Sequence, residues 1–178
     1  MPVWIALLRA VNVGGTGKLA MADLVAICEA AGFARVRSYI ASGNVVFEAP
    51  GDEAAVKRAL EAGVQAYAGK PIGVVVRSAA EIAAALAANP FEDAAPNRCV
   101  AIFLDAPPAA DALAATTGIK DEVMQLGVRE IYVHYGSGMA ETRLRIPAAA
   151  TGTTRNMNTV AKLAAMSAAL ISDRDKTT

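Results

Sequence analysis

Between residues 3 and 76 the chain alternates short β-branched or apolar runs with two helical periodicities, and that order constrains the fold more than any other feature. Residues 3–8 read as a buried strand. Residues 21–31 carry Leu24, Ile27, Cys28 and Ala31 at helical spacing, with Gly32 as a left-handed stop. Residues 36–40 and 45–48 are strands joined by Ala-Ser-Gly-Asn, the composition of a tight turn. Asp52 can cap a second helix with Val56, Leu60, Val64 and Tyr67 on one face, ended by Gly69 and Pro71, before a strand at 72–76. The order β-α-β-β-α-β is that of a ferredoxin-like plait, an α+β fold with helices packed on one face of an antiparallel sheet.

The remainder repeats this order loosely. Ser78 and Glu81 make an S-x-x-E capping box for a helix with Ile82, Ala85 and Leu86 inward, stopped by Asn89-Pro90, and a polar connection follows to residue 98. Residues 99–104 form an apolar strand, and Pro107-Pro108 suits the first turn of a short Ala-rich helix reaching Thr117. Residues 122–126 and 131–135 read as a strand pair, and Arg143 and Arg145 alternate with Leu144 and Ile146 as on a half-exposed strand. A last helix is expected from near Asn156 to about Ile171, packing through Val160, Leu163, Ala164, Ser167 and Leu170. The organisation expected is a first plait over 1–77, a second plait-like half over 78–172 with helix 79–88 as connector, and a fraying polar tail at 173–178.

A hydrophobic content of 54% is ample for a core, and 17 basic residues balance 17 acidic ones. No overall field draws such a chain to DNA or an anionic membrane, so any nucleic-acid interface must be local. The first strand is too short for a secretory leader and runs into Arg9, while the apolar stretch near the C-terminus is broken by Lys162. These features lead us to expect a soluble cytoplasmic protein without a membrane partner. Cys28 and Cys99 are isolated in apolar runs and read as reduced core residues. His134 is the single histidine, which disfavours a zinc site or a His-relayed nucleophile. No metal and no cofactor is expected.

Three polar clusters stand out. In the first, LLRAVNVGGTGK, an apolar strand runs into Arg9, Asn12, Gly14, Gly15 and Lys18. Gly15-x-Gly17-x-x-Ala20 formally fits the dinucleotide fingerprint, but no acidic residue lies between Glu29 and Glu48 to hold a ribose. The phosphate-loop pattern also fails, with Asn12 at its first glycine and Leu19 after the lysine. What remains is a loop whose backbone N–H groups and ammonium suit an anion, or simply a turn. The second cluster is Ser42, Gly43 and Asn44. In a plait the first two strands run the same way, so this turn shares an edge with Arg9 and Asn12. The third is Thr153 to Lys162, where either threonine can cap the last helix, with Thr154 and Asn156 at its start. Arg155, Asn158, Thr159 and Lys162 would form one polar stripe opposite the packing face. Tyr39, Tyr132 and Tyr135 could stack bases, although no RNP-like run accompanies them, and His134 reads as structural.

The motifs LLRAVNVGG with K and MADL, YIASGNVVF, NPF and TTRNMNTVAKLAAM, taken in order, resemble those of the domain-of-unknown-function family 1697, a set of mostly bacterial proteins without an assigned activity. The resemblance runs from Val3 to about Ala169 and implies two plait-like α+β halves. It carries over no catalytic residue. The family pattern often has Trp where Met157 stands, and its motifs coincide with the three polar clusters.

The function expected is binding of a phosphate- or carboxylate-bearing small molecule in a composite site between the halves. Arg9, Lys18, Arg155 and Lys162 would meet the charge, and Asn12, Ser42, Asn44 and Asn158 would orient the ligand. The alternative is a non-catalytic module for RNA or a protein partner. A hydrolase or transferase finds no paired carboxylates in these motifs.

Overall fold

The computed structural model describes residues 1–12 and 18–177, which divide into two units: Met1–Ile82 with Lys162–Thr178, and Ala83–Ala161. The C-terminal segment therefore belongs with the first unit.

In the first unit β1 (Val3–Leu8), α1 (Met21–Ala30), β2 (Ala34–Tyr39), β3 (Asn44–Glu48), α2 (Glu53–Ala68) and β4 (Val74–Ser78) build a sheet of order β2-β3-β1-β4, every neighbour antiparallel. This is the plait. Alternation along β1 sends Trp4, Ala6 and Leu8 into a cluster with Val45, Phe47, Val74 and Val76, under Leu24 and Cys28 of α1 and Val56, Leu60 and Val64 of α2. Each fully buried Val or Leu there stabilises the fold by about 1.5–3 kcal/mol. The opposite sheet face, with Ile5, Leu7, Val46, Val75 and Arg77, is buried as well. Asp52 caps α2 by accepting from Ala55 N at 2.8 Å, and Gly69 ends it at φ 72°. Tyr67, expected on the packing face of α2, is instead 49% exposed.

Ser78 and Glu81 cap α3 (Ala79–Ala87) reciprocally, Ser78 N donating to the Glu81 carboxylate at 2.8 Å and Glu81 N to Ser78 Oγ at 3.2 Å. In the second unit β5 (Cys99–Phe103), β6 (Glu122–Leu126), β7 (Glu130–Tyr135) and β8 (Thr153–Asn156) form a second antiparallel sheet, of order β6-β7-β5-β8. Its strand order is that of the first sheet, but its connections differ from those expected. The Ala-rich stretch 110–115 makes only turns, with i to i+3 bonds such as Ala112 N to Ala109 O. Residues 143–146 are not a strand. Arg145 makes one bridge, with Thr117. The two connections still supply what helices would, since Leu113, Leu144, Ile146, Ala148 and Ala149 pack against Val100, Ile102, Ile131 and Val133.

The last helix, α4 (Met157–Asp175), starts where expected, directly after Thr153–Asn156 pairs with β5 as β8, and runs about four residues beyond the expected end. Its C-terminal part is hydrogen-bonded within the first unit. Arg35 donates to Leu170 O at 3.0 Å and Arg174 to Met1 O at 2.8 Å. Lys162 lies against Tyr39 and Leu170 against Arg35, so α4 runs antiparallel to β2. The dimensions agree: about 12 Å of helix rise from Lys162 to Leu170 matches about 13 Å of strand from Tyr39 back to Arg35.

Both cysteines are free and buried. Burial first, then Glu29, pushes the Cys28 thiol up to about 12, and burial also raises Cys99. Thiolate is the reactive form. Native protein at pH 8 should therefore give almost no colour with a thiol-reactive aromatic disulfide, and both thiols should react once urea unfolds the chain. Fast labelling of the native protein would contradict this packing.

Candidate functional site

The pairing of β1 with its neighbours fixes one end of the first sheet as a meeting place. Leu7 pairs with Asn44 and Leu8 with Val74, so the chain leaving β1, the β2–β3 turn and the start of β4 lie together there. Leu8 N donates to Gly43 O at 2.8 Å and Arg9 N to Gly73 O at 2.9 Å. The backbone is contorted at this end, with Ala10, Asn12 and Ile40 at φ 51°, 54° and 48°. Gly43, at φ 85°, sits so close to β1 that an added Cβ would lie 2.7 Å from Val11 Cγ2 and 2.9 Å from Leu8 Cβ. Only glycine meets both demands.

Asn12 and Asn44 brace this end. The Asn12 amide donates to Leu19 O at 2.7 Å and to Ala41 O at 2.8 Å, and its carbonyl accepts from Leu19 N at 2.7 Å. It thus closes the loop after β1 and ties it to the β2–β3 turn. Asn44 is fully buried, its amide donating to Tyr39 O and Ser42 Oγ, both at 2.9 Å. Both side chains are thus engaged with the chain itself. Gly14 and Gly15 lie outside the described residues.

Arg9 and Lys18 are exposed at this end, and Lys70 joins them in the connection that leads into β4. Helix α4 brings in a further cation: Lys162 Nζ stands 6.0 Å from the centroid of the Tyr39 ring, a few residues before the turn. Of the acids on the same unit, Asp23 accepts from Tyr67 Oη at 2.9 Å and keeps its charge, and Glu61 pairs with Lys57 at 3.0 Å. Exposed cations thus lie on several of the segments that meet at or lead to this end, although the chain as a whole is neutral.

The stripe expected at the start of the last helix does not form. Arg155 belongs to β8, opposite Ala101, and is 8% exposed, donating to Thr154 O at 2.9 Å. Burial pulls its guanidinium down to about 10. Thr159 is buried rather than on the polar face, and Asn156, not a threonine, caps α4 by accepting from Thr159 N at 2.9 Å. Asn158 and Lys162, one turn apart, remain exposed on α4, and Thr154 is exposed on β8. Tyr132 cannot stack a base: it is 1% exposed and donates to Ala85 O at 2.6 Å. His134 packs against Phe91, with centroids 5.6 Å apart.

A feature without a sequence motif lies in the second unit. Residues 118–122 and 137–143 enclose a cleft of about 910 Å³, with Glu122, Thr142, Lys120 and Arg143 in its walls. Gly118 permits the closure, since a Cβ there would fall 2.0 Å from Arg143 O.

A family model described as "Protein of unknown function (DUF1697)" matches residues 1–132. Among solved structures, the conserved bacterial protein SP0830 from Streptococcus pneumoniae is similar, with a TM-score of 0.76 and 24% identity over 93% of this chain and 98% of that one. At that identity the likeness shows the fold alone. The search of curated proteins gives no match. Among the described residues, no helix is long and apolar enough to cross a membrane.

Proposed function

The chain belongs to the DUF1697 family, and from the chemistry at one end of its first sheet we propose that it binds a small phosphate- or carboxylate-bearing molecule there. Lys18, Lys162 and Arg9 meet the charge, and the Ser42 hydroxyl orients it. Asn12 and Asn44 act one step back, holding the loop and the turn at a fixed spacing. One observation carries the reading: Lys162 reaches Tyr39 at the same sheet end that Asn12 ties together, so cations far apart in sequence serve one place. Arg155 is left out of this set because it is buried on β8. An anion beside these groups would be held by charge-assisted bonds, each stronger than a neutral one.

A thermal-shift panel of inorganic phosphate, pyrophosphate and citrate at low salt tests the proposal. Pyrophosphate or citrate should raise the Tm, since a ligand present at about 100 times its Kd stabilises by about 2.7 kcal/mol. The shift should shrink as salt is added. A flat response to all three anions would remove the reading in favour of a module that binds a macromolecule.

A further inference from the structure

The second unit holds a buried charge that nothing in the first site explains. Glu122 opens β6 and is 8% exposed, and its carboxylate accepts from Lys120 N at 2.6 Å and from Thr142 Oγ1 at 2.7 Å. These donors, the Lys120 N–H first, hold its carboxyl below the usual range. Its charge is felt by Tyr135 opposite, whose hydroxyl is raised by burial first and by Glu122 second. Among the described residues no Lys or Arg forms an ion pair with Glu122. Hydrogen-bond donors rather than a countercharge thus keep the carboxylate ionised, and each of its oxygens can accept a further hydrogen bond. This carboxylate stands in the wall of the 910 Å³ cleft, a volume within the range of small-molecule sites. The same walls carry a second carboxylate, Glu141, and the cations Lys120 and Arg143, and the side chain of Ile119, 54% exposed, adds apolar surface.

We propose that this cleft binds a free amino acid with an apolar side chain, its ammonium group against Glu122, its carboxylate against Arg143 and its side chain along Ile119. The two signs in the walls select a zwitterion over either ion alone, and Ile119 selects apolar over charged side chains. The site is independent of the anion site in the first unit, so either stands if the other fails.

Isothermal titration with L-leucine, 4-methylpentanoate and 3-methylbutylamine tests it, the last two lacking the ammonium and the carboxylate respectively. Leucine should bind at least about tenfold more tightly than either analogue, as expected for loss of one charge-assisted contact. Glu122→Gln should weaken leucine by about tenfold or more while leaving 4-methylpentanoate unchanged. Because Glu122 also bonds Lys120 and Thr142, the exposed Arg143→Gln serves as a second variant: it should weaken leucine and 4-methylpentanoate but not the amine. Absence of leucine binding, equal binding of leucine and 4-methylpentanoate, or leucine binding indifferent to Arg143→Gln would each overturn the proposal.

Discussion

Gly43→Ala should lower the stability of the first unit by about 2–4 kcal/mol, through left-handed strain on a residue with a Cβ and overpacking against Val11 and Leu8. Both causes act on one atom. The residue stands at φ 85°, and its Cβ has no room beside the last turn of β1, where Leu8 N is bonded to Gly43 O. Relief would require the turn to lift off β1, which breaks that bond and carries Ser42 and Asn44 away. The chain's single tryptophan, Trp4, is buried in the same unit and donates to Ala49 O at 3.2 Å, so urea unfolding followed by its fluorescence reports the loss directly. Against a typical total of about 5–15 kcal/mol the loss is large. An unchanged midpoint would mean that the turn does not press on β1 as described.

Asn12→Ala should cost a similar amount for a different reason. Its amide is engaged three times, and truncation leaves Leu19 N, which is only partly exposed to solvent, without its acceptor, at a cost of about 1–3 kcal/mol. Alanine at φ 54° adds about 1 kcal/mol of strain. Asn12→Gly separates the two terms: it keeps the backbone conformation without strain but makes none of the bonds, so it should recover only about 1 kcal/mol relative to alanine. Both variants should also weaken anion binding, because the segment carrying Lys18 is no longer tied to Ala41. A glycine variant as stable as the parent would show that the bonds contribute nothing.

The first plait was legible because its signals are local: helical spacing in α1 and α2, a capping aspartate, and a turn rich in Ser, Gly and Asn. Strand β8 was not. Thr153–Asn156 is polar and reads as a helix cap, and only pairing with β5, far back in the chain, makes it a strand that buries Thr153 and Arg155 on alternate positions. The Ala-rich 110–115 segment misled for the opposite reason, since local propensity favoured a helix where the chain makes only i to i+3 turns. At the candidate site the hydrogen bonds of Asn12 and Asn44 were not legible, because they reach main-chain groups such as Ala41 O and Tyr39 O that no side-chain pattern reveals. The Glu122 cleft left no motif. It exists only because Lys120 and Thr142, from separate loops, converge on one carboxylate.

The most direct test of an anion site at this end of the first sheet is titration of pyrophosphate into the parent protein and into the Lys18→Glu, Lys162→Glu double variant. Both lysines are exposed, so the exchange should leave the fold intact, as Trp4 fluorescence will report. The parent should bind, with affinity falling as salt rises, and the double variant should bind at least about a hundredfold more weakly, roughly 1.4 kcal/mol for each reversed charge. Pyrophosphate bound equally well by both proteins would contradict the account.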